Sequence, residues 1–347
     1  MTQKKTAVIL LNLGGPDSPK AVRPFLINLF SDPAILQIPT LVRKILARVI
    51  AYRRTKTAVE IYNHLGGFSP ILINTQTQLE ALSHSLKSKS NTQFFIAMRY
   101  WHPMTNETIK NVLKFMPDQV ILLPLYPQYS MTTTGSSVKA WMAAAKKFNL
   151  TVPTKTICCY PTAQSFIHEV SRLVQNHYHS VKELGPTRIL FSAHGLPKQI
   201  IQKGDPYQYQ IEQTTAAVVK ELNIPNLDWK VTYQSRVGPL EWIGPATEDE
   251  IKLAGSQRIN LVICPIAFVS EHSETLVELD IEYRAVAKEF GVPHYRRVET
   301  VGSGEFFIKS LCELINRAES SDQPILNHCS QRVCPTSFSQ CPHKTHG

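Results

Sequence analysis

The sequence predicts an α/β protein built on doubly wound parallel sheets and divided into two domains. Three observations predict it. Short, mainly apolar runs of buried-strand length alternate with longer stretches whose apolar residues recur every three or four positions, the βαβ rhythm of a parallel sheet covered on both faces. A length of 347 residues exceeds one comfortable core, so two domains of about 150 residues each are expected. Each strand candidate also runs out into aromatic, amide, basic or imidazole side chains, at the edge where open parallel sheets take their ligands.

In chain order, the strands are expected at Ala7–Leu13, Phe94–Met98, Val120–Leu125, Arg188–Ala193, Lys230–Gln234 and Ile259–Pro265. Amphipathic patterns predict helices near 21–30, 75–87, 106–115, 137–147, 165–179, 207–222 and 274–290. The stretch from Ile35 to Lys56 is different. Its apolar Ile35, Leu36, Ile38, Leu41, Val42, Ile45, Leu46, Val49 and Ile50 alternate with Arg43, Lys44, Arg48, Arg53, Arg54 and Lys56. That pattern suits an amphipathic helix or lip at a membrane surface or beside an acidic, greasy ligand, and equally a core-facing helix with a basic outer face.

Composition narrows the class. Hydrophobic residues make up 43% of the chain, as in a soluble globular protein, and the net charge is +10. The basic residues are scattered rather than gathered into a patch, so nucleic acid is not an expected partner. The first residues, Met1 to Lys5, are too short and polar for a signal peptide, and no run reaches the ~18 apolar residues of a membrane span. A cytoplasmic protein is expected. Seven cysteines in a reducing compartment argue against a disulfide framework. Cys158 and Cys159 adjoin, Cys264 and Cys312 look like core positions, and Cys329, Cys334 and Cys341 crowd the tail.

Nucleotide chemistry is not expected. Gly14-Gly15-Pro16 after the first strand is not G-x-G-x-x-G, and the proline removes an N–H that a pyrophosphate would need. There is no P-loop and no H-E-x-x-H.

Two stretches carry the chemistry. Phe191-Ser192-Ala193-His194-Gly195-Leu196-Pro197 places an imidazole just after an apolar strand. Ser270-Glu271-His272-Ser273-Glu274 opens a helix in which, at 3.6 residues per turn, Glu271, Glu274, Glu278 and Glu282 share one stripe and Asp280 points away. No lysine or arginine three or four residues ahead compensates these acids, and their flanks are apolar. A solvated acidic face is one reading; a row that binds protons or a divalent metal is the other.

Taken together, these stretches resemble the ferrochelatases. The likeness runs from Leu10-Leu11-Asn12-Leu13-Gly14-Gly15-Pro16 to about Leu314, through Arg99-Tyr100-Trp101-His102-Pro103, Tyr126-Pro127-Gln128-Tyr129-Ser130, Thr133-Thr134-Gly135-Ser136-Ser137, Phe191-Ser192-Ala193-His194, Gln234-Ser235-Arg236-Val237-Gly238-Pro239 and Glu278-Leu279-Asp280-Ile281-Glu282-Tyr283. It implies two similar Rossmann-like halves with the active site in a cleft between them: an N-terminal domain over 1–155 with the lip at about 30–56, a second domain over 156–318, and a cysteine-rich extension over 319–347. It implies a lyase that inserts ferrous iron, its substrate metal, into protoporphyrin IX to form protoheme. Coproporphyrin III as substrate, or a non-catalytic heme or iron carrier, are the alternatives.

By the same resemblance, His194 and Glu274 take the pyrrole protons or ligate the iron, and Glu278, Glu282 and His272 relay protons or metal, with Asp280 structural. Metal insertion expels two protons, and a neutral imidazole takes a proton near pH ~6.5. Leu13, Tyr100, Tyr126, Trp242 and Phe268 would wall the porphyrin, and Arg53 and Arg54 would meet its propionates. The tail resembles the extension with which some ferrochelatases hold a [2Fe–2S] cluster, with Cys158 as a fourth ligand beside Cys329, Cys334 and Cys341. A zinc site using His328 or His343, or a disordered tail, are the competing readings. Peripheral contact with the cytoplasmic face of the membrane is expected of the lip, and the chain is a monomer or homodimer.

Overall fold

The structure, a computed structural model, describes residues 4–87, 91–236, 238, 240–329 and 331–343. Val237 and Pro239 of the motif after Gln234 lie outside the described residues. Two compact units divide the chain: Met1–Cys159 with Leu311–Ser330, and Tyr160–Ser310 with Gln331–Gly347. This corrects the expected boundaries. The first break falls just after Cys159 rather than at 155, and residues 311–330 join the first unit, so the expected extension over 319–347 is shared between the two units.

The first unit carries β1 (Thr6–Asn12), α1 (Val22–Phe30), α2 (Thr40–Asn63), α3 (Ile71–Ser85), β2 (Thr92–Met98), α4 (Thr105–Phe115), β3 (Gln119–Pro124), α5 (Ser136–Lys147) and β4 (Thr154–Cys159). Its sheet is parallel, in the order β2-β1-β3-β4-β9, where β9 is Ile325–Asn327 from the far end of the chain. All seven residues of β1 are buried, which is why it reads as an unbroken apolar run. Ala7, Ile9 and Leu11 point to one face and pack on Ile109 and Val112 of α4 and Trp141 of α5. Trp141 is fully buried, and truncating it to alanine would cost about 4 kcal/mol.

The second unit repeats the plan with α6 (Gln164–His179), β5 (Thr187–His194), α7 (Lys198–Gln202), α8 (Tyr207–Leu222), β6 (Asp228–Gln234), α9 (Thr247–Ser256), β7 (Asn260–Pro265), a π-helix (Glu274–Glu282), α10 (Tyr283–Glu289) and β8 (Tyr295–Arg297). The last helix, α11 (Glu305–Ser320), begins in this unit. The four strands are parallel in the order β6-β5-β7-β8. Leu190, Leu261 and Ile263 pack on Ile251 and Ala254 of α9 and on Leu279, Tyr283 and Ala287 of the helices after β7. In each sheet the chain turns one way from its first strand and then the other. The crevice at the carboxyl end of that first strand is the topological switch point where doubly wound sheets bind.

The helix α2 reverses the simplest reading of its pattern. The side it buries carries Arg43, Ala47, Ala51 and Tyr62. Leu41 at 78% exposure, Ile45 at 65% and Tyr52 at 71% face outward, so α2 is not a core-facing helix with a basic outer face. Arg43 is buried because its guanidinium has backbone partners, donating to Ser31 O at 3.0 Å and Ile38 O at 2.6 Å. Among the described residues no helix is long and apolar enough to cross a membrane.

Candidate functional site

His194 is the last residue of β5, at the switch point of the second sheet. Gly195 keeps that position beside β6: a Cβ there would sit 3.0 Å from Gln234 O, to which the Gly195 N–H donates at 2.9 Å. The loop after β7 carries Ser270 to Ser273 to the start of the π-helix, where Glu274 is the first residue. Its Oε2 lies 2.8 Å from His194 Nδ1. Two groups eighty positions apart therefore meet because one ends a central strand and the other follows its neighbour in the sheet.

The electrostatics follow from the pairing. Burial works against a charged imidazole at His194, but the charge and hydrogen bond of Glu274, with the charge of Glu278, outweigh it and move the pKa up. Burial likewise raises Glu274, and His194 overrides it, with smaller help from His272 and Ser235, so the carboxyl falls to about 2. With Nδ1 donating to an ionised carboxylate, the neutral imidazole keeps its lone pair on Nε2. The His194 side chain is 38% exposed and that of Glu274 26%, so the pair is open to a ligand.

Glu278 has a different environment. Its Oε1 accepts from the Ser235 backbone N–H at 2.8 Å and from the Tyr283 hydroxyl at 3.1 Å. Its Oε2 accepts from Gln234 Nε2 at 2.9 Å and from the Ser235 hydroxyl at 2.5 Å. Burial and the neighbouring Glu274 charge move its pKa up, against these hydrogen bonds. Ser235 Oγ also lies 3.4 Å from Glu274 Oε2, so one hydroxyl stands between the two carboxylates.

The expected four-acid stripe does not form as such. Glu271 precedes the helix and binds Arg297 at 2.6 Å and the Thr300 N–H at 2.9 Å. Arg297, only 10% exposed, also holds Asp280. The compensating cation comes from β8 rather than from the helix, which is why local spacing hid it. From Glu274 to Glu282 the backbone is π-helical, a register common at functional sites, so the 3.6-residue arithmetic does not apply. Glu282 is exposed at the end of that segment. His272 is buried, its ring 4.7 Å from the Phe268 ring, and burial lowers its pKa. Among the described residues its buried Nδ1 finds no hydrogen-bond partner.

The expected walls divide. Trp242 lines an open cleft of about 640 Å³ with Lys198, Ile201, Arg236 and Asp249, and Phe268 is half-buried. In the first unit Leu13 and Tyr126 are half-buried, and Arg53 and Arg54 are exposed, Arg54 over the Phe30 ring. Tyr100 departs from expectation. It is fully buried and its hydroxyl donates to Asp32 at 2.7 Å, so it packs a core instead of offering a face. Asp32 also accepts from Arg99 at 2.7 Å, from the Ala34 N–H at 2.8 Å and from the Ser136 hydroxyl. Sequence reasoning missed Asp32, since nothing near it in the chain signals a partner.

The cysteines are only partly gathered. Cys158 and Cys159 have sulfurs 3.5 Å apart at the end of β4, and Cys329 follows β9, the next strand. In the second unit Cys334, which accepts from Gln210 Nε2 at 3.0 Å, lies within hydrogen-bond reach of Cys341 and draws that thiol down to about 7. Among the described residues no three His, Cys, Asp or Glu side chains come together as a metal-binding group.

The ferrochelatase family profile matches residues 5–319. This chain belongs to the ferrochelatase family. It is 49% identical to the ferrochelatase of Rickettsia bellii (strain OSU 85-389), over 98% of this chain and 96% of that one. It is 50% identical to that of Pelagibacter ubique, over 97% and 98%, and 48% identical to that of Caulobacter vibrioides, over 99% and 98%. The cobalt complex of the sirohydrochlorin chelatase SirB from Bacillus subtilis subspecies spizizenii covers 91% of this chain and 94% of its own, with a TM-score of 0.51 and 11% identity, a likeness of fold. As a ferrochelatase the protein is a metal-chelating lyase that inserts ferrous iron into a porphyrin in heme synthesis.

Proposed function

We propose that the porphyrin is protoporphyrin IX and that the insertion chemistry is centred on His194 and Glu274. The observation that carries this is the 2.8 Å Nδ1–Oε2 contact at the switch point, which leaves His194 Nε2 and Glu274 Oε1 uncommitted on a partly open pair. Metal insertion replaces two pyrrole N–H bonds with metal–nitrogen bonds, so two protons must leave. His194 Nε2 accepts one pyrrole proton, the second passes to solvent, and Glu274, already ionised, stabilises the imidazolium that results. The same two atoms offer ferrous iron a mixed N/O pair weak enough to release it to the macrocycle. His272 stays neutral behind them and Glu282 supplies an exposed carboxylate at the end of the π-helix. The relay role expected of Glu278 is narrowed to that of a fixed neighbour, because four donors already hold it.

The lip supports a dicarboxylate substrate. Outward-facing Leu41, Ile45 and Tyr52 with Arg53 and Arg54 nearby suit a greasy macrocycle with two propionates better than one with four. We assign the same surface a peripheral contact with the cytoplasmic membrane face; replacing Leu41 and Ile45 with Glu should abolish co-sedimentation with anionic vesicles. Anaerobic mixing with Fe²⁺ and either protoporphyrin IX or coproporphyrin III, followed by the Soret and visible bands, tests the substrate. Preference for coproporphyrin III, or binding of both without metallation, would overturn the reading.

For the tail, the thiols fit an iron–sulfur cluster in chemical type, and the Cys334–Cys341 contact supplies two donors side by side. A [2Fe–2S] cluster needs four thiolates and, where bound, would supply an electron-storing centre. Protein purified anaerobically should be red-brown, and Cys334→Ser should bleach it; a colourless, iron-free preparation would refute the cluster.

A further inference from the structure

The two carboxylates of the π-helix differ in what already binds them. An ionised carboxylate offers about four lone-pair sites. Glu278 has four donors, all from within the fold. Among the described residues Glu274 has one donor of its own, His194, and a longer contact shared with the Ser235 hydroxyl, both on Oε2.

The donors to Glu278 come mainly from one short strap, Gln234-Ser235, at the end of β6. The strap is held at both sides. Gln234 is fully buried, its Oε1 accepts from Ser192 at 2.8 Å, and its Nε2 also reaches the backbone oxygen of Glu274 at 3.0 Å. That pairing fixes which end of the amide faces Glu278. Ser235 adopts φ +60°, a left-handed conformation that costs a non-glycine residue about 1 kcal/mol. This conformation presents the backbone N–H and the hydroxyl of one residue to both oxygens of Glu278.

We infer that Ser235, assisted by Gln234, is a positioning residue that withholds Glu278 from the metal, so that Glu274 is the only carboxylate of this pair able to ligate. The inference rests on the reading of His194 and Glu274 as the insertion site. Its consequence is specific. A chelatase must give its metal away, and a second carboxylate closing beside Glu274 would complete a tighter cage. The strap keeps the site weak by filling the lone pairs that such a cage would use.

The test is Ser235→Gly in the full chain, a change suited to φ +60° that keeps the backbone N–H and removes the hydroxymethyl side chain, its hydroxyl included. Mn²⁺ binding followed by EPR without porphyrin reads the site directly, since this hard ion favours carboxylates over the tail thiols. Mn²⁺ affinity should rise about tenfold, the order by which outer-shell partners tune metal sites, and kcat for iron insertion should fall with the porphyrin KM within twofold. Adding Glu278→Gln to Ser235→Gly should return Mn²⁺ affinity to the wild-type value. Unchanged or weaker Mn²⁺ binding in Ser235→Gly would overturn the inference, as would a rise in porphyrin KM alone, which would assign the hydroxyl to the porphyrin. Failure of the underlying site reading would show separately, as full turnover in His194→Ala.

Discussion

In the first unit Asp32 gathers four donors, from Arg99, Tyr100, Ser136 and the Ala34 backbone, and is 4% exposed. In the second, Glu274 has one donor of its own, His194, a longer contact shared with the Ser235 hydroxyl, an uncommitted oxygen and a side chain 26% exposed. Both lie beyond the carboxyl ends of parallel strands with the same local order. The first strand of one sheet ends in Asn12, whose Oδ1 caps the Leu13 N–H at 2.8 Å and whose Nδ2 binds Thr75 at 3.0 Å. The first strand of the other ends in His194. One switch point is closed on itself and the other is left with sites to fill, so donor count separates structural from reactive carboxylates here.

The contrast breaks most visibly at the strand ends. His194→Ala should lower iron insertion by about 1000-fold while fluorescence titration still detects porphyrin binding, whereas Asn12→Ala should change insertion by less than tenfold. Next come the carboxylates. Glu274→Gln should reduce kcat about 100-fold with little change in the denaturant midpoint. Asp32→Asn should instead cost about 3 kcal/mol, read from urea unfolding, because it removes the buried anion opposite Arg99.

The pH profiles sharpen the difference. His194 has a raised pKa, so its proton-accepting form is lost as pH falls through a value above 6.5; the acid limb of kcat/KM should lie there and move lower in Glu274→Gln. Asp32 has a lowered pKa despite burial, chiefly through Ser136, Ala34 and Arg99. Its contribution to stability is complete above the unfolded carboxyl value of about 4 and is lost as pH falls through the folded one, a slope that Asp32→Asn should flatten. The smallest effect is expected from Tyr283→Phe, which removes the longest of the four hydrogen bonds to Glu278 while Ser235 keeps hold of both oxygens, and should cost about 1 kcal/mol with kcat within twofold.

What could be read in advance followed from local pattern. Six strands announced themselves as apolar runs, and His194 and Glu274 stood out as polar groups at the ends of such runs. β4 did not, because Thr154-Lys155-Thr156 interrupts the pattern, and β8 and β9 are three residues each, too short for any periodicity. The π-register left no mark either, since apolar spacing does not report which carbonyl an N–H selects. Tyr100 was misplaced for a related reason. An aromatic ring near a strand end fits a wall or a core equally well, and only Asp32, 68 positions away, decides. Arg297 and Ser235 also act across gaps in the chain, of 17 to 43 positions.

The conformation of Ser235 bears on any attempt to harden this protein against heat. Glycine at φ +60° would relieve the backbone, so a screen that scores melting temperature alone would favour Ser235→Gly and count it as an improvement. It would be selecting against the hydroxyl that keeps Glu278 occupied. Serine at that position gives up the backbone relief glycine would bring, and the variant that survives the hottest bath would be the one that lets go of its metal most slowly.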